Sequence, residues 1–370
     1  MFFRFFRWKS SVFQSKLYTF AFGFAAMKWT RARLNNFFFI LGVVTVVVML
    51  LTFDVSFIEL WDHLCHAGYW LLPIVGVWAV IYAINALAWR SIIQSELQAG
   101  EHVGFWRIYR LTITGYALNY ATPVGGLGGE PYRIMELSKH VDKQRATSSV
   151  ILYAMMHIYA HFWLWFTSIF LYLALAAAGD LPMTPVLGVA FSLAIVLCLV
   201  AFYLFGKGYR KGLVLRMFRW ISRIPGLKGW STRFQENHHE SLQRIDEQIA
   251  ALHHQDKRAF YSSFLLEYFS RLVQSVEILF MLLLFDIDGG GDFCGIMMTY
   301  FHAVLILSFT SLLANLIGFL PMQLGVQEGG FVVSIAVLGF SAALGIFVSI
   351  ICRVREILWI VIGLMLMKLK

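Results

Sequence analysis

Charge is scarce in this chain. Asp, Glu, Lys and Arg make up 14% of its 370 residues, against about 25% in soluble globular domains, and that shortage excludes an ordinary soluble enzyme. The four cysteines, Cys65, Cys198, Cys294 and Cys352, are far apart and form no CxxC pair. They argue against a zinc ribbon or a disulfide framework and read as small apolar packing residues. Seven prolines and 29 glycines are too few for a collagen-like or low-complexity chain. The sequence holds no phosphate-binding P-loop, dinucleotide fingerprint or serine elbow, so ATP-driven transport by this chain alone is disfavoured. What the chain has in excess is apolar: 59% of residues are hydrophobic and the mean hydropathy is +0.70. These residues fall in long runs, the pattern of an all-α polytopic membrane protein.

The net charge of +9 would suggest nucleic acid in a soluble protein, but its placement points to a membrane. Residues 1–36 carry seven basic and no acidic side chains, interleaved with aromatic residues such as Phe2, Phe3 and Trp8. They read as a basic, aromatic arm, either solvated or lying on the membrane surface, and lack the uninterrupted apolar core of a signal peptide. The 207–258 linker holds eleven basic side chains against five acidic ones, which places it in the cytoplasm with the N-terminus, Lys368 and Lys370. Loops assigned to the other side are acidic: Asp54, Glu59 and Asp62, then Asp180, then Asp286, Asp288 and Asp292. Arm and linker together carry +13, leaving the remainder at net −4. The excess positive charge therefore marks the cytoplasmic face, where it meets anionic lipid, and no nucleic-acid partner is expected.

Six segments, 37–53, 70–89, 147–178, 185–206, 259–285 and 342–367, are each long enough to cross a bilayer as a helix. Two others, 105–140 and 293–340, contain a helical stretch, a Pro/Gly break and a second helical stretch starting at a glutamate. Irregular backbone at membrane depth is tolerated only where protein or a water-filled cavity satisfies its N–H and C=O groups. For the loop charges to agree, 105–140 must enter and leave from the cytoplasm and 293–340 from outside. Both are then re-entrant helical hairpins. The order span, span, hairpin, span over residues 37–178 recurs over 185–367 with every direction reversed, which is an inverted repeat. The breaks match in detail: Asn119 precedes Pro123 and Glu130 lies seven after the proline, while Asn315 precedes Pro321 and Glu328 again lies seven after.

The run Asn119-Tyr-Ala-Thr-Pro123-Val-Gly125-Gly126-Leu-Gly128-Gly129-Glu130-Pro-Tyr-Arg133, and later Leu320-Pro321-Met-Gln-Leu-Gly325-Val-Gln-Glu328 before an Arg353-bearing span, resemble the lysylphosphatidylglycerol synthase transmembrane-region family, also called flippase-like. The resemblance covers roughly residues 35 to 367. It implies an integral protein of a bacterial-type inner membrane that moves or handles lipids through re-entrant hairpins. Larger relatives carry a soluble aminoacyl-transferase domain after the membrane part. This chain ends at Lys370, directly after the last span, so lysyl transfer to lipid is not expected.

The hairpin tips are the first candidate sites. Their flexible glycines expose backbone N–H groups, and the helix starting near Glu130 turns its positive dipole end toward the midplane, where an anionic headgroup fits. Glu130 and Arg133 are three apart, so they form either a local ion pair or a headgroup site, and Glu328 carries the same two readings. Within full spans, Glu267, Arg271 and Glu277 share one helix face, and Arg353, Arg355 and Glu356 interrupt the last span. Such charges either pair between helices or, as Arg133, Arg271 and Arg353, surround a lipid phosphate, with Glu130, Glu267 and Glu328 coupling protons. His157 and His161 stand four apart without a third ligand, which favours buried hydrogen bonding or proton handling over a metal. The tryptophans Trp61, Trp70, Trp78 and Trp89 bracket the second span and read as an interfacial belt.

The leading expectation is a carrier that moves an anionic phospholipid or lipid-linked intermediate between leaflets, with no cofactor and no metal. A membrane enzyme acting on lipid phosphates, with Glu130 or Glu328 as base, is the alternative from another class. A scaffold for envelope synthesis, bound through the basic linker, is a third.

Overall fold

The computed structural model describes Ile40, Cys65 and residues 67–95, 102–121, 128–210, 257–316 and 326–368, with isolated positions between 211 and 250. Two units divide the chain, Met1–Leu41 and Gly42–Lys370, and the helix bundle belongs to the second. The whole basic arm, all of the expected span at 37–53 except Ile40, and residues 122–127 and 317–325 at the hairpin tips lie outside the described residues.

Nine α-helices and no strand occur among the described residues: α1 Leu71–Ser95, α2 Phe105–Ala121, α3 Glu130–Leu137, α4 Lys143–Ala178, α5 Pro185–Arg210, α6 Lys257–Leu284, α7 Phe293–Leu316, α8 Val326–Val337 and α9 Ala342–Lys368. Four stretches are long and apolar enough to cross a membrane: Gly68–Ser95, Lys143–Ala178, Pro185–Gly206 and Phe293–Leu316. Three of these coincide with expected spans. The fourth, α7, was expected to be the first arm of a re-entrant hairpin, and its 24 residues reach about 36 Å at 1.5 Å each. By contrast α6 and α9, with 28 and 27 residues, are long enough but carry the charged residues that the sequence singled out. The shorter helices α2, α3 and α8 have 17, 8 and 12 residues.

Local chemistry ends these helices where the sequence changes. Asp142 accepts a hydrogen bond from the Gln144 N–H at 2.9 Å, capping α4. The same helix closes on Gly179 at φ 91°, with Asp180 N–H returned to the Leu175 carbonyl, a left-handed cap that glycine makes without strain. The turn from α6 to α7 uses Gly289, Gly290 and Gly291, all at positive φ, and Asp292 accepts from the Gly295 N–H.

Helix α6 packs along α1, α2 lies against α9, and α4 touches α1, α3, α5, α6 and α7. The second half gathers its apolar core from Ile278, Met281, Leu305, Ile306, Phe331, Ile335, Phe347 and Ile351, all buried. A smaller aromatic cluster, Trp78, Tyr82 and Trp359 with Ile81 and Ile113, joins α1, α2 and α9. Helix α5 stands apart: Val186, Val189, Leu193, Val196, Leu199 and Val200 are exposed, while Phe191 and Cys198 face inward. An apolar helix exposed in this way suits lipid as its solvent. Among the cysteines, Cys198 and Cys352 are buried, as expected of packing residues, whereas Cys65 and Cys294 are exposed.

Candidate functional site

Five acidic and four arginine side chains lie in or at the edge of the interior of this helix bundle, and each belongs to one of three clusters, the first two joined by Tyr116. The first is built at the start of α3. Arg133 is 1% exposed and pairs with Glu130 Oε1 at 2.9 Å, the local pair expected from their spacing. Its Nη2 donates to the Thr112 carbonyl at 3.2 Å, and its guanidinium lies among the rings of Tyr116, Tyr153 and Trp89, at 4.9, 5.4 and 5.7 Å. Aromatic faces stabilise a cation there without adding negative charge. The approach of α3 to α2 depends on two glycines: a Cβ at Gly115 would overlap the Arg133 guanidinium, and one at Gly129 would overlap the Gly115 backbone. Asn119 accepts from the Gly129 N–H at 2.6 Å and reaches Glu130 Oε1 at 3.5 Å, so it satisfies a backbone donor at the head of α3.

The middle cluster joins α4 to α6. Glu267 is fully buried and its Oε2 lies 2.8 Å from His157 Nδ1 and 3.9 Å from Arg271 Nη2. Arg271 Nη2 is set against both ring nitrogens of His157, at 2.7 and 2.6 Å, and Nη1 donates to Gln274 Oε1 at 3.0 Å. The Tyr116 hydroxyl completes this centre, 3.0 Å from His157 Nδ1 and 3.2 Å from the Tyr153 hydroxyl, and accepts from Asn85 at 3.3 Å. Tyr116 thereby touches both the first cluster and the second.

The third cluster lies along α9. Arg353 is held by two carboxylates, Glu328 of α8 at 2.7 Å and Glu356 at 2.8 Å, and Gln327 donates to Glu356 at 3.1 Å. Arg355 points another way, to Glu277 of α6 at 2.8 Å, with its guanidinium 3.9 Å from the centre of the Trp78 ring. The Trp78 indole N–H donates to the same Glu277 at 2.7 Å.

The structure thus brings Asn119, Gly129, Glu130, Arg133, Glu267, Arg271, Glu328, Arg353 and Glu356 into contact with the network, and Gly128 is buried beside Gly129. Asn315 does not join: it is exposed and donates to the Ser311 carbonyl of its own helix at 2.8 Å. Pro123, Gly125, Gly126, Pro321 and Gly325 lie outside the described residues. The three arginines expected to surround a phosphate are each engaged by protein groups instead. The belt assigned to the tryptophans fails for two of them, since Trp78 and Trp89 are 5% and 0% exposed and pack against Arg355 and Arg133. A ring whose faces meet cations belongs to the interior. Residue order alone did not reveal the roles of Tyr116, Tyr153, Asn85 and Gln327. The pairing of Glu277 with Arg355, 78 residues apart, was equally hidden. Among the described residues no group of three or more His, Cys, Asp or Glu is placed to hold a metal ion.

Four helices long and apolar enough to cross a membrane, with buried charges paired between helices, suit a multi-pass membrane protein. No curated protein and no solved structure matches the chain. The sequence model described as "Lysylphosphatidylglycerol synthase TM region" matches residues 39–364, nearly the whole chain. The chain belongs to the lysylphosphatidylglycerol synthase transmembrane-region family, a family of membrane proteins in lipid metabolism or transport.

Proposed function

We propose that this protein is a carrier that moves an anionic phospholipid, or a lipid-linked intermediate with an anionic headgroup, between the leaflets of a bacterial-type inner membrane. One observation carries the proposal: α3 and α8 each hold a first-turn glutamate, half-buried, that pairs with an arginine 1–2% exposed, and Tyr116 joins the first of these pairs to the His157 cluster. The side chains of Glu130 and Glu328 are 15% and 34% exposed. A phosphate arriving from either side would compete with that carboxylate for the guanidinium fork, which suits two phosphate oxygens as well as it suits a carboxylate. An interior charge in lipid costs about 2.5 kcal/mol or more, so such arginines need an anionic partner at every stage.

The finer architecture follows the same reading. Six spans and two re-entrant hairpins related by an inverted repeat would pair α1 with α6, α2 with α7, α3 with α8 and α4 with α9. In support, the contact of α2 with α9 has its mate in α7 with α4, and α2–α3 and α3–α4 have theirs in α7–α8 and α8–α9. The basic linker then lies in the cytoplasm with both termini. The protein transports without covalent chemistry in this scheme.

Proteoliposomes holding a fluorescent phosphatidylglycerol test it, with the label in each leaflet read by membrane-impermeant quenching. Wild-type protein is expected to speed exchange between leaflets, and a Glu130→Gln, Arg133→Ala double variant recovered as monodisperse protein is expected to lose that activity. Equal rates for the two proteins, or a covalent change in the labelled lipid, would overturn the carrier.

A further inference from the structure

In the middle cluster His157 is approached by an acidic and a basic side chain together, Glu267 and Arg271. A guanidinium N–H can only donate. Arg271 Nη2 lies 2.6 Å from His157 Nε2 and 2.7 Å from Nδ1, so at least one of the two ring nitrogens must offer a lone pair. Nδ1 also lies 2.8 Å from the Glu267 carboxylate and 3.0 Å from the Tyr116 hydroxyl; the carboxylate contact requires a hydrogen on the line between them, which leaves the lone pair to Nε2. The tautomer assigned from these neighbours is neutral: Nδ1–H donates to Glu267, and Nε2 accepts from Arg271. The ring is full in this state, and one more proton has a single place to go. At Nε2 it would set an N–H against the guanidinium and one cation against another, so that Arg271 and His157 must separate.

Three side chains here retain polar atoms without a protein partner, although all are buried: Glu267 Oε1, Arg271 Nε and His161 Nδ1. Around His157 stand Glu267 and Arg271 from α6, Tyr116 from α2, Tyr153 and His161 from α4, and Arg133 of α3 within electrostatic reach. Asn85 of α1 contributes through Tyr116. With His157 neutral, Glu267 and Arg271 balance. With His157 protonated, the cluster holds one net positive charge and an arginine released from the ring, a pair of cations that attracts an anion.

We infer that His157, held between Glu267 and Arg271, is a proton site that loads together with an anionic headgroup phosphate at Arg271, so that one proton enters with each anion. This deepens the carrier reading and rests on it: the two glutamate–arginine pairs admit the headgroup at the ends, and the histidine couples its passage to the proton gradient. Proton and phosphate then favour each other's binding by the same factor in both directions, as linkage demands.

The experiment uses the full chain in vesicles that contain fluorescent phosphatidylglycerol and a pH-sensitive dye in the lumen. Expected for the wild type are inward lipid movement that acidifies the lumen, a ratio of about one proton per lipid, and faster movement as pH falls. In His157→Gln the proton-to-lipid ratio falls to near zero, whatever happens to the lipid rate. Wild-type lipid movement with no proton movement overturns the proton site while leaving the carrier intact. Absence of lipid movement at every pH overturns the carrier itself. A parallel arm gives inorganic phosphate in place of the labelled lipid, and phosphate entry with protons but without lipid movement overturns the lipid as the ligand. Because the wild-type ratio is decisive by itself, a variant that fails to fold does not protect the proposal.

Discussion

The short helices α3 and α8 begin alike and are anchored differently. Each carries a glutamate in its first turn, Glu130 and Glu328, and each glutamate reaches a buried arginine. For α3 the arginine is three residues on in the same helix. It is surrounded by three aromatic rings and a backbone carbonyl, so the pair is neutral by itself. For α8 the corresponding position is Phe331, packed in the apolar core, and the arginine comes from α9, where Glu356 also holds it. That cluster, counting Arg355 and Glu277, contains three carboxylates and two guanidiniums. One end of the network is therefore a caged cation and the other an acid-rich chain of charges. In the proposed carrier, an anion would find a partner most readily where the cation has the fewest competing carboxylates, which is Arg133 rather than Arg353.

The comparison breaks most severely at Arg353. Replacing it with leucine takes the Arg353 guanidinium from both Glu328 and Glu356, leaving Glu356 with Gln327 at 3.1 Å and Arg355 at 3.8 Å, and loss of one partner from a buried pair costs about 3–5 kcal/mol. Arg133→Leu strands only Glu130, which is partly exposed, and the loss is expected to be smaller. Thermal melts in detergent of the two variants check the order, and an Arg353→Leu, Glu356→Leu double variant more stable than the arginine change alone would confirm that the stranded charge is the cause. If Arg133→Leu proves the worse of the two, the acid-rich cluster is not what sets the asymmetry.

Backbone approach differs in the same direction. Gly129→Ala drives a Cβ into the Gly115 backbone, which cannot turn aside, and overpacking of that kind costs about 1–3 kcal/mol. In α8, Gly330→Ala meets the Thr310 methyl at 3.2 Å, a small shift that the gain in helix propensity offsets, so its melting temperature is expected to stay near wild type. Trp78→Phe comes between them: it keeps the ring against Arg355 but removes the donor to buried Glu277, a change worth about 1–3 kcal/mol in the same melts. A neutral outcome would mean that Arg355 alone satisfies that carboxylate.

Much of the helix order was legible, because apolar runs and loop charges are local properties of the chain. The short-range pairs were legible for the same reason: Glu130 with Arg133 and Arg353 with Glu356 each span one helical turn. What order could not give is which helix faces which. Glu277 meets Arg355 because α6 and α9 both present a charge to one point in the interior, and no spacing in the sequence encodes that. The same gap explains Trp78 and Trp89, whose positions on an apolar span fit an interfacial belt until Arg355 and Arg133 are seen beside them. His157 and His161 were visible as one helix face, but their acid and base came from α6. Asn315, matched to Asn119 by its place before a proline, shows the opposite error: the local pattern repeats while the contact does not.

The smallest change in stability is expected at Glu328, and it separates packing from function. Glu328→Gln keeps the shape of a side chain that is 34% exposed, and Arg353 retains Glu356 at 2.8 Å, so the guanidinium is not left without a carboxylate. The expected loss is below about 1 kcal/mol. Glu130→Gln removes the one carboxylate that pairs with Arg133 at 2.9 Å, and a larger loss is expected there despite the similar chemistry. If headgroup phosphate and carboxylate compete for the same guanidinium, the Glu328→Gln protein should bind fluorescent phosphatidylglycerol more tightly than wild type while it melts at nearly the same temperature. Unchanged affinity would mean that the phosphate never displaces Glu328, and the route past Arg353 would then have to be given up.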